Sequence, residues 1–288
     1  MPDRSGSRPG DGRSLAVRRD GMRLEARDAG PRGGEVVVLL HGFPQDRTCW
    51  DTVAPLLGAA GLRTVAPDQR GYGGSDRPSG VSPYRVEELV ADVLAVADAT
   101  GSERIHVVGH DWGGVVAWEV AARHPDRVAT VTVLSTPHPS AYVWSLLRSR
   151  QPLMSWYTLA VQLPVLPELV LSATLAPVLV GSGLPPDLAE RYASRVSGPG
   201  DLGPMLAWYR AVARRAPRPW SVGTPDVRVP TTYVWGRHDP ALGRAAAERT
   251  AHHVTGRYRF VELDAGHWLP ELHPSEVAEA VLDRIATP

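Results

Sequence analysis

The chain has 288 residues, 31 of them arginine, with no lysine, no asparagine and a single cysteine, Cys49. These absences exclude Schiff-base and pyridoxal-phosphate chemistry, a phosphate-loop lysine, an internal disulfide, a cysteine zinc site and N-glycosylation. Zero formal net charge, with 43% hydrophobic and 22% charged residues, fits a globular protein and gives no sign of a nucleic-acid partner or an anionic membrane. Met1–Arg13 is mostly Gly, Pro, Ser, Asp and Arg, which predicts a disordered lead-in and, lacking a signal peptide's apolar core, a cytoplasmic location. Ser14–Arg19 and Met22–Arg27 flank Asp20-Gly21, a hairpin signal. Glu35–Leu40 is a continuous apolar run that suits a strand covered on both faces. Similar runs follow at Leu62–Ala66, Ile105–Val108, Val128–Leu134, Thr231–Trp235 and Tyr258–Leu263. Between them, Val86–Thr100, Trp112–Arg123 and Val277–Ile285 repeat their apolar residues with a helical period.

Strand and helix alternate, which predicts an α/β fold with a mostly parallel eight-stranded sheet and helices on both faces. One interval breaks the alternation. Residues 136–229 show no strand-like run, are rich in Pro, Leu, Trp and Tyr, and read as several helices. Residues 14–135 and 230–288 then form the core, with 136–229 a lid over the carboxyl edge of the sheet, where open α/β sheets bind ligands. The nearly uncharged stretch from Gln151 to Pro186 is a poor spanning helix, because Glu168 and several prolines interrupt it. Lid helices covering an apolar pocket account for it more simply than a lipid surface does.

Gly109-His-Asp111-Trp-Gly113 joins a predicted strand to a predicted helix. It has the form of a nucleophile elbow with Asp where Ser usually stands. Asp111 at the tip sits at a helix N-terminus, whose dipole favours a carboxylate. With His41-Gly42-Phe43-Pro44, Asp68–Ser75, Gly236-Arg-His-Asp239 and Gly266-His267-Trp268 in this order, the chain resembles the α/β-hydrolases with a cap domain, and within them the epoxide hydrolases. The resemblance covers roughly Leu15 to Ile285.

The resemblance implies Asp111 as nucleophile, His267 as base and Asp239 as the acid that orients it, with Asp264 a rival for the last role. A carboxylate is ionised at neutral pH and can displace a leaving group from saturated carbon, so an aspartate points to alkyl rather than acyl chemistry. The ester left behind needs activated water and two oxyanion donors, expected from the backbone N–H groups of Phe43 and Trp112. A cis Phe43-Pro44 bond is also implied. Tyr157, five residues before Gln162 and Pro164, and Tyr209 match the two tyrosines with which the family protonates the epoxide oxygen. Trp144, Trp156, Trp208 and Trp220 are expected to line an apolar or aromatic substrate site. The implied partners are a small apolar epoxide and water, with no cofactor, metal, nucleic acid or membrane. Haloalkane dehalogenases share the triad but bind halide through Trp N–H groups and commonly an Asn, so this chain would need a second Trp from the lid. Fluoroacetate dehalogenases need arginines beside the nucleophile, where Trp112 stands. A non-catalytic ligand-binding relative would usually have lost part of the triad, and here every position is filled.

Overall fold

The computed structural model of the protein describes residues 12–214 and 224–288. The predicted lead-in lies almost wholly outside them, as does Trp220. Eight strands, β1 (Arg13–Arg19), β2 (Met22–Ala29), β3 (Val36–Leu40), β4 (Arg63–Pro67), β5 (Ile105–His110), β6 (Val128–Leu134), β7 (Thr231–Gly236) and β8 (Tyr258–Leu263), form one sheet. Their spatial order is β1-β2-β4-β3-β5-β6-β7-β8. The pairs β1–β2 and β2–β4 are antiparallel and the remaining five are parallel.

Helices α1 (Val53–Ala59), α2 (Val86–Thr100) and α3 (Trp112–Arg123) alternate with the early strands. Between β6 and β7 lie α4 (Pro139–Leu146), α5 (Gln151–Met154), α6 (Tyr157–Ala160), α7 (Leu166–Gly181), α8 (Pro186–Ala193) and α9 (Pro199–Ala213). After β7 come α10 (Arg244–Arg249), α11 (Leu269–Leu272) and α12 (Pro274–Ala286).

The apolar run of β3 is buried at every position because the sheet is covered on both sides. Val36, Val38 and Leu40 pack with α2 and α3, while Val37 and Leu39 pack with α1 and α12. Side chains alternate across a strand, so a run without polar residues can satisfy two cores at once. All eight predicted strands are present, with ends shifted by at most two residues, and α2 and α3 match their predicted bounds.

The helical insertion is pinned by a buried ion pair. Arg210 of α9 donates to both oxygens of Glu168 in α7, at 2.5 and 3.0 Å, and also to the carbonyls of Val161 and Leu163, at 3.0 and 2.8 Å. One guanidinium thus satisfies a buried carboxylate and two carbonyls at the end of α6 and in the loop after it. Arg210→Met should therefore lower stability by about 3–5 kcal/mol, the cost of leaving a buried charge uncompensated. Denaturant unfolding measures this, and a loss below about 1 kcal/mol would show that the pair does not hold the insertion.

Candidate active site

β5 ends at His110 and α3 begins at Trp112. Asp111 makes the reversal between them at φ +51°. The helix can start this close to the sheet because Gly113 has no side chain: a Cβ there would stand 2.1 Å from the Leu40 carbonyl oxygen. Thr136 Oγ1, just beyond β6, donates to the Asp111 carbonyl at 2.7 Å and ties down the tip.

The Asp111 carboxylate has two unlike oxygens. Oδ1 accepts the Phe43 N–H at 2.8 Å, and the Trp112 N–H also reaches the carboxylate. The Phe43 loop, with its cis Phe43-Pro44 bond, approaches this closely because Gly42 lacks a Cβ, which would lie 2.4 Å from both Cβ and Oδ1 of Asp111. Oδ2 lies 3.7 Å from His267 Nε2. On the far side of the ring, His267 Nδ1 lies 2.8 Å from Asp239 Oδ2. The second Asp239 oxygen accepts the N–H groups of Ala241 and Leu242, at 2.8 and 3.0 Å, and the side chain is fully buried. Asp264 instead faces solvent and contacts His238 at 2.8 Å.

Burial opposes the charges of Asp111 and His267. It raises the Asp111 carboxyl above its ordinary range, against the pull of His267 and the N–H groups of Phe43 and Trp112. Burial alone would lower His267, but the charge and hydrogen bond of Asp239, then the charges of Asp111 and Glu271, outweigh it and raise the imidazole to about 9.

Asp111 lines a cavity of about 810 Å³ whose wall is mostly apolar, a size typical of small-molecule sites. Tyr157 of α6 and Tyr209 of α9 line the same cavity, with ring centroids 6.3 Å apart. Tyr209 packs edge-on against Trp112 and Phe43, with ring centroids at 4.8 and 5.8 Å. Burial first, and then the Asp111 charge, raises both phenols above their ordinary value, so both are protonated at neutral pH. Asp111, Tyr157 and Tyr209 thus bring a carboxylate and two O–H donors to one apolar space, with the His267 imidazole and the Phe43 and Trp112 N–H groups set against that carboxylate.

The alpha/beta hydrolase fold family matches residues 35–274. Epoxide hydrolase A of Mycobacterium tuberculosis is 34% identical, over 92% of this chain and 94% of that relative. The AB hydrolase superfamily protein YfhM of Bacillus subtilis is 35% identical, over 93% and 96%. Among solved structures, Epoxide Hydrolase A from Mycobacterium thermoresistibile is similar with a TM-score of 0.79 at 30% identity, covering 96% of this chain and 98% of that one. The chain belongs to the α/β-hydrolase family, in its epoxide hydrolase branch.

In this α/β-hydrolase the expected tryptophans among the described residues, Trp144, Trp156 and Trp208, do not line the cavity. Trp208 is fully buried, donates its indole N–H to the Arg70 carbonyl at 3.2 Å and packs against Tyr72 and Trp112. Trp156 is 67% exposed. Trp144 lies beneath the guanidinium groups of Arg148 and Arg249, at 5.5 and 5.2 Å. The cause is helical phase. At about 100° per residue, Tyr157, Thr158, Leu159 and Gln162 define one cavity-facing arc and Tyr209, Val212 and Ala213 another, and Trp156 and Trp208 fall outside them. On α4 the cavity takes Tyr142, Val143 and Leu146, and Trp144 falls outside their arc.

A polar network behind His267 was also missed. Gln45 Oε1 accepts the Gly42 N–H at 2.8 Å and contacts His110 Nδ1 at 2.9 Å, while its Nε2 donates to Glu271 Oε1 at 2.6 Å. Tyr192 of α8 donates to the same Glu271 oxygen at 2.7 Å. His110 Nε2 and Ser135 Oγ each lie 2.9 Å from the His267 carbonyl oxygen. The network thereby joins the Phe43 loop, the His267 loop and the insertion. Gln45 and Glu271 are 226 residues apart, so no spacing could have linked them.

Because the Asp111 charge helps raise His267, Asp111→Asn should lower the His267 titration from about 9. Imidazole NMR against pH reads this directly, and an unchanged or higher midpoint would show that the two side chains are not coupled.

Proposed function

We propose that the protein hydrolyses epoxides to vicinal diols through an ester on Asp111. The observation that carries this reading is one apolar cavity lined by a carboxylate and two protonated phenols, Asp111, Tyr157 and Tyr209. An epoxide oxygen leaves as an alkoxide and needs a proton, which a phenol can give.

In the first step Asp111 Oδ2 attacks a ring carbon, the ring C–O bond breaks, and a proton passes from Tyr157 or Tyr209 to the departing oxygen. Oδ1, already held by the Phe43 N–H, becomes the ester carbonyl oxygen. In the second step His267, which gives its proton to solvent once the Asp111 charge is gone, takes a proton from water as it adds to the Asp111 carboxyl carbon. The oxyanion on Oδ1 is held by the N–H groups of Phe43 and Trp112. Collapse expels the diol, whose oxygen takes the proton from His267, and the regenerated Asp111 acid returns a proton through solvent to the tyrosine. Asp239 keeps the imidazole oriented and stabilises its cation. Asp111, Asp239 and His267 are thus the catalytic triad, and residues 136–229 act as the cap domain that carries the two acids.

The family's relatives support the substrate class: Epoxide hydrolase A of Mycobacterium tuberculosis is among them. Halide release is disfavoured by the same wall. Among the described residues Trp112 is the one tryptophan that lines the cavity, and no Asn exists in the chain. No arginine among the described residues lines it to hold a substrate carboxylate. A cytoplasmic location belongs to the same proposal, supported by a Gly-, Pro-, Ser-, Asp- and Arg-rich start that has no apolar core. Among the described residues no helix is long and apolar enough to cross a membrane.

Given side by side a styrene oxide-type epoxide, a haloalkane and fluoroacetate, the enzyme should form diol and release no halide; the reverse would reject the reading. His267→Gln should gain the mass of one epoxide on Asp111 by intact-mass measurement, because ester formation precedes the need for a base. An unmodified variant would rule out the two-step route. Tyr157→Phe together with Tyr209→Phe should slow ring opening by about 10²–10⁴-fold, read as diol formed per unit time, and a wild-type rate would remove both tyrosines from the mechanism.

A further inference from the structure

The apolar residues of the insertion do not all face the cavity they were expected to cover. Leu147, Leu153, Trp156, Leu159, Val165 and Leu166 are each more than half exposed, on consecutive elements from the end of α4 to the start of α7. Single exposed apolar residues are ordinary, but a run of this density marks an interaction surface. Within this stretch of chain the exposed charges have one sign. Between Leu147 and Val180 the chain has three charged residues, Arg148, Arg150 and Glu168. Both arginines are exposed, while Glu168 is buried against Arg210.

We propose that this surface docks on an anionic lipid layer, with the leucines and Trp156 in the headgroup boundary and Arg148 and Arg150 against lipid phosphates. Apolar side chains flanked by arginines, with tryptophan among them, match the way a helix lies in a membrane interface. A second copy of the chain fits less well. A two-fold contact would set the patch against itself, bringing arginines to a surface with no exposed carboxylate between Leu147 and Val180 to receive them. Lipid phosphates supply that missing charge. Pro152 and Leu159 are exposed and also line the cavity, so docking sets the cavity rim against the phase in which apolar molecules dissolve. Entry of an apolar epoxide by that route rests on the function proposed above, whereas docking does not.

Sedimentation with phosphatidylcholine vesicles, with and without phosphatidylglycerol, tests the docking. The full-length protein should co-sediment with the anionic vesicles, more weakly with the neutral ones, and less as salt rises. Arg148→Gln with Arg150→Gln should weaken anionic binding about 25-fold, on about fivefold per arginine. Leu147→Ser with Leu153→Ser and Leu166→Ser should abolish binding to both vesicles, yet keep wild-type turnover of a water-soluble epoxide without lipid. Protein that stays in the supernatant with both vesicles, or a leucine variant that binds as wild type, would overturn the proposal. So would a wild-type dimer in light scattering that the leucine variant dissolves, which would assign the surface to self-association. If the leucine variant does not fold, the arginine variant still decides, because wild-type binding to anionic vesicles in that protein overturns the charge complementarity. Binding is read without turnover, so a failed epoxide assay leaves this result standing.

Discussion

Two carboxylates share one buried imidazole, and the loops around them are shaped by the need to keep those charges out of water. Moving an ion into the interior costs several kcal/mol unless hydrogen bonds replace its hydration. Backbone amides do this without adding a charge that itself needs compensation. Ala241 and Leu242 serve Asp239, and Phe43 and Trp112 serve Asp111. Amides can come that close only where the chain has no side chain in the way, which is the role of Gly42 and Gly113. The sheet order then makes the cluster possible. β3 and β5 are neighbours, as are β7 and β8, so their carboxyl ends bring the Phe43 loop to Asp111 and Asp239 to His267. β6 lies between the two pairs and supplies Ser135 and Thr136, which fix the His267 and Asp111 carbonyls.

This arrangement explains which parts of the molecule can be read from sequence. A strand buried on both faces must be apolar throughout, so EVVVLL could be little else. The elbow demands glycines at fixed offsets from Asp111, because backbone is the nearest neighbour there, and such demands leave a written trace. His267 and Asp239 are legible for a related reason: each follows a strand end at the edge where ligands bind. Gln45 and Glu271 left no such trace. Their contact depends on how two distant loops fold back, and neither residue type is required by the local backbone.

The insertion follows different rules. Inside the sheet an apolar residue has an apolar neighbour on either side, so composition predicts burial. On short helices laid over a cavity, composition fixes neither which arc turns inward nor whether the outward arc is covered. α7 shows this most clearly. Its sequence is apolar nearly all round, yet its buried residues are Pro167, Glu168, Leu175 and Leu179. Its one charged side chain is inside, held by Arg210, while Leu166, Leu169 and Val170 face out. The misplaced tryptophans have the same origin. Matching Tyr157 and Tyr209 to a pattern fixes the tyrosines, and helical phase then removes the adjacent Trp156 and Trp208 from the wall.

The charge of Asp111 also orders the proposed reaction in time. Burial and then that charge hold the protons on Tyr157 and Tyr209, and the same charge adds to Asp239 in holding a proton on His267. Ring opening converts the carboxylate to a neutral ester, so all three groups lose one reason to stay protonated as the first bond forms. The phenols become better acids while the alkoxide develops and needs a proton. The imidazole becomes easier to deprotonate just before a base is needed for water. Hydrolysis of the ester restores the carboxylate and with it the affinity of all three groups for protons. A serine at position 111 would carry no charge to consume, and its reaction could not release the tyrosines and the histidine in this way. Exchanging the nucleophile therefore changes more than the atom attacked: it couples the acids of the insertion to the base of the core through one electrostatic event.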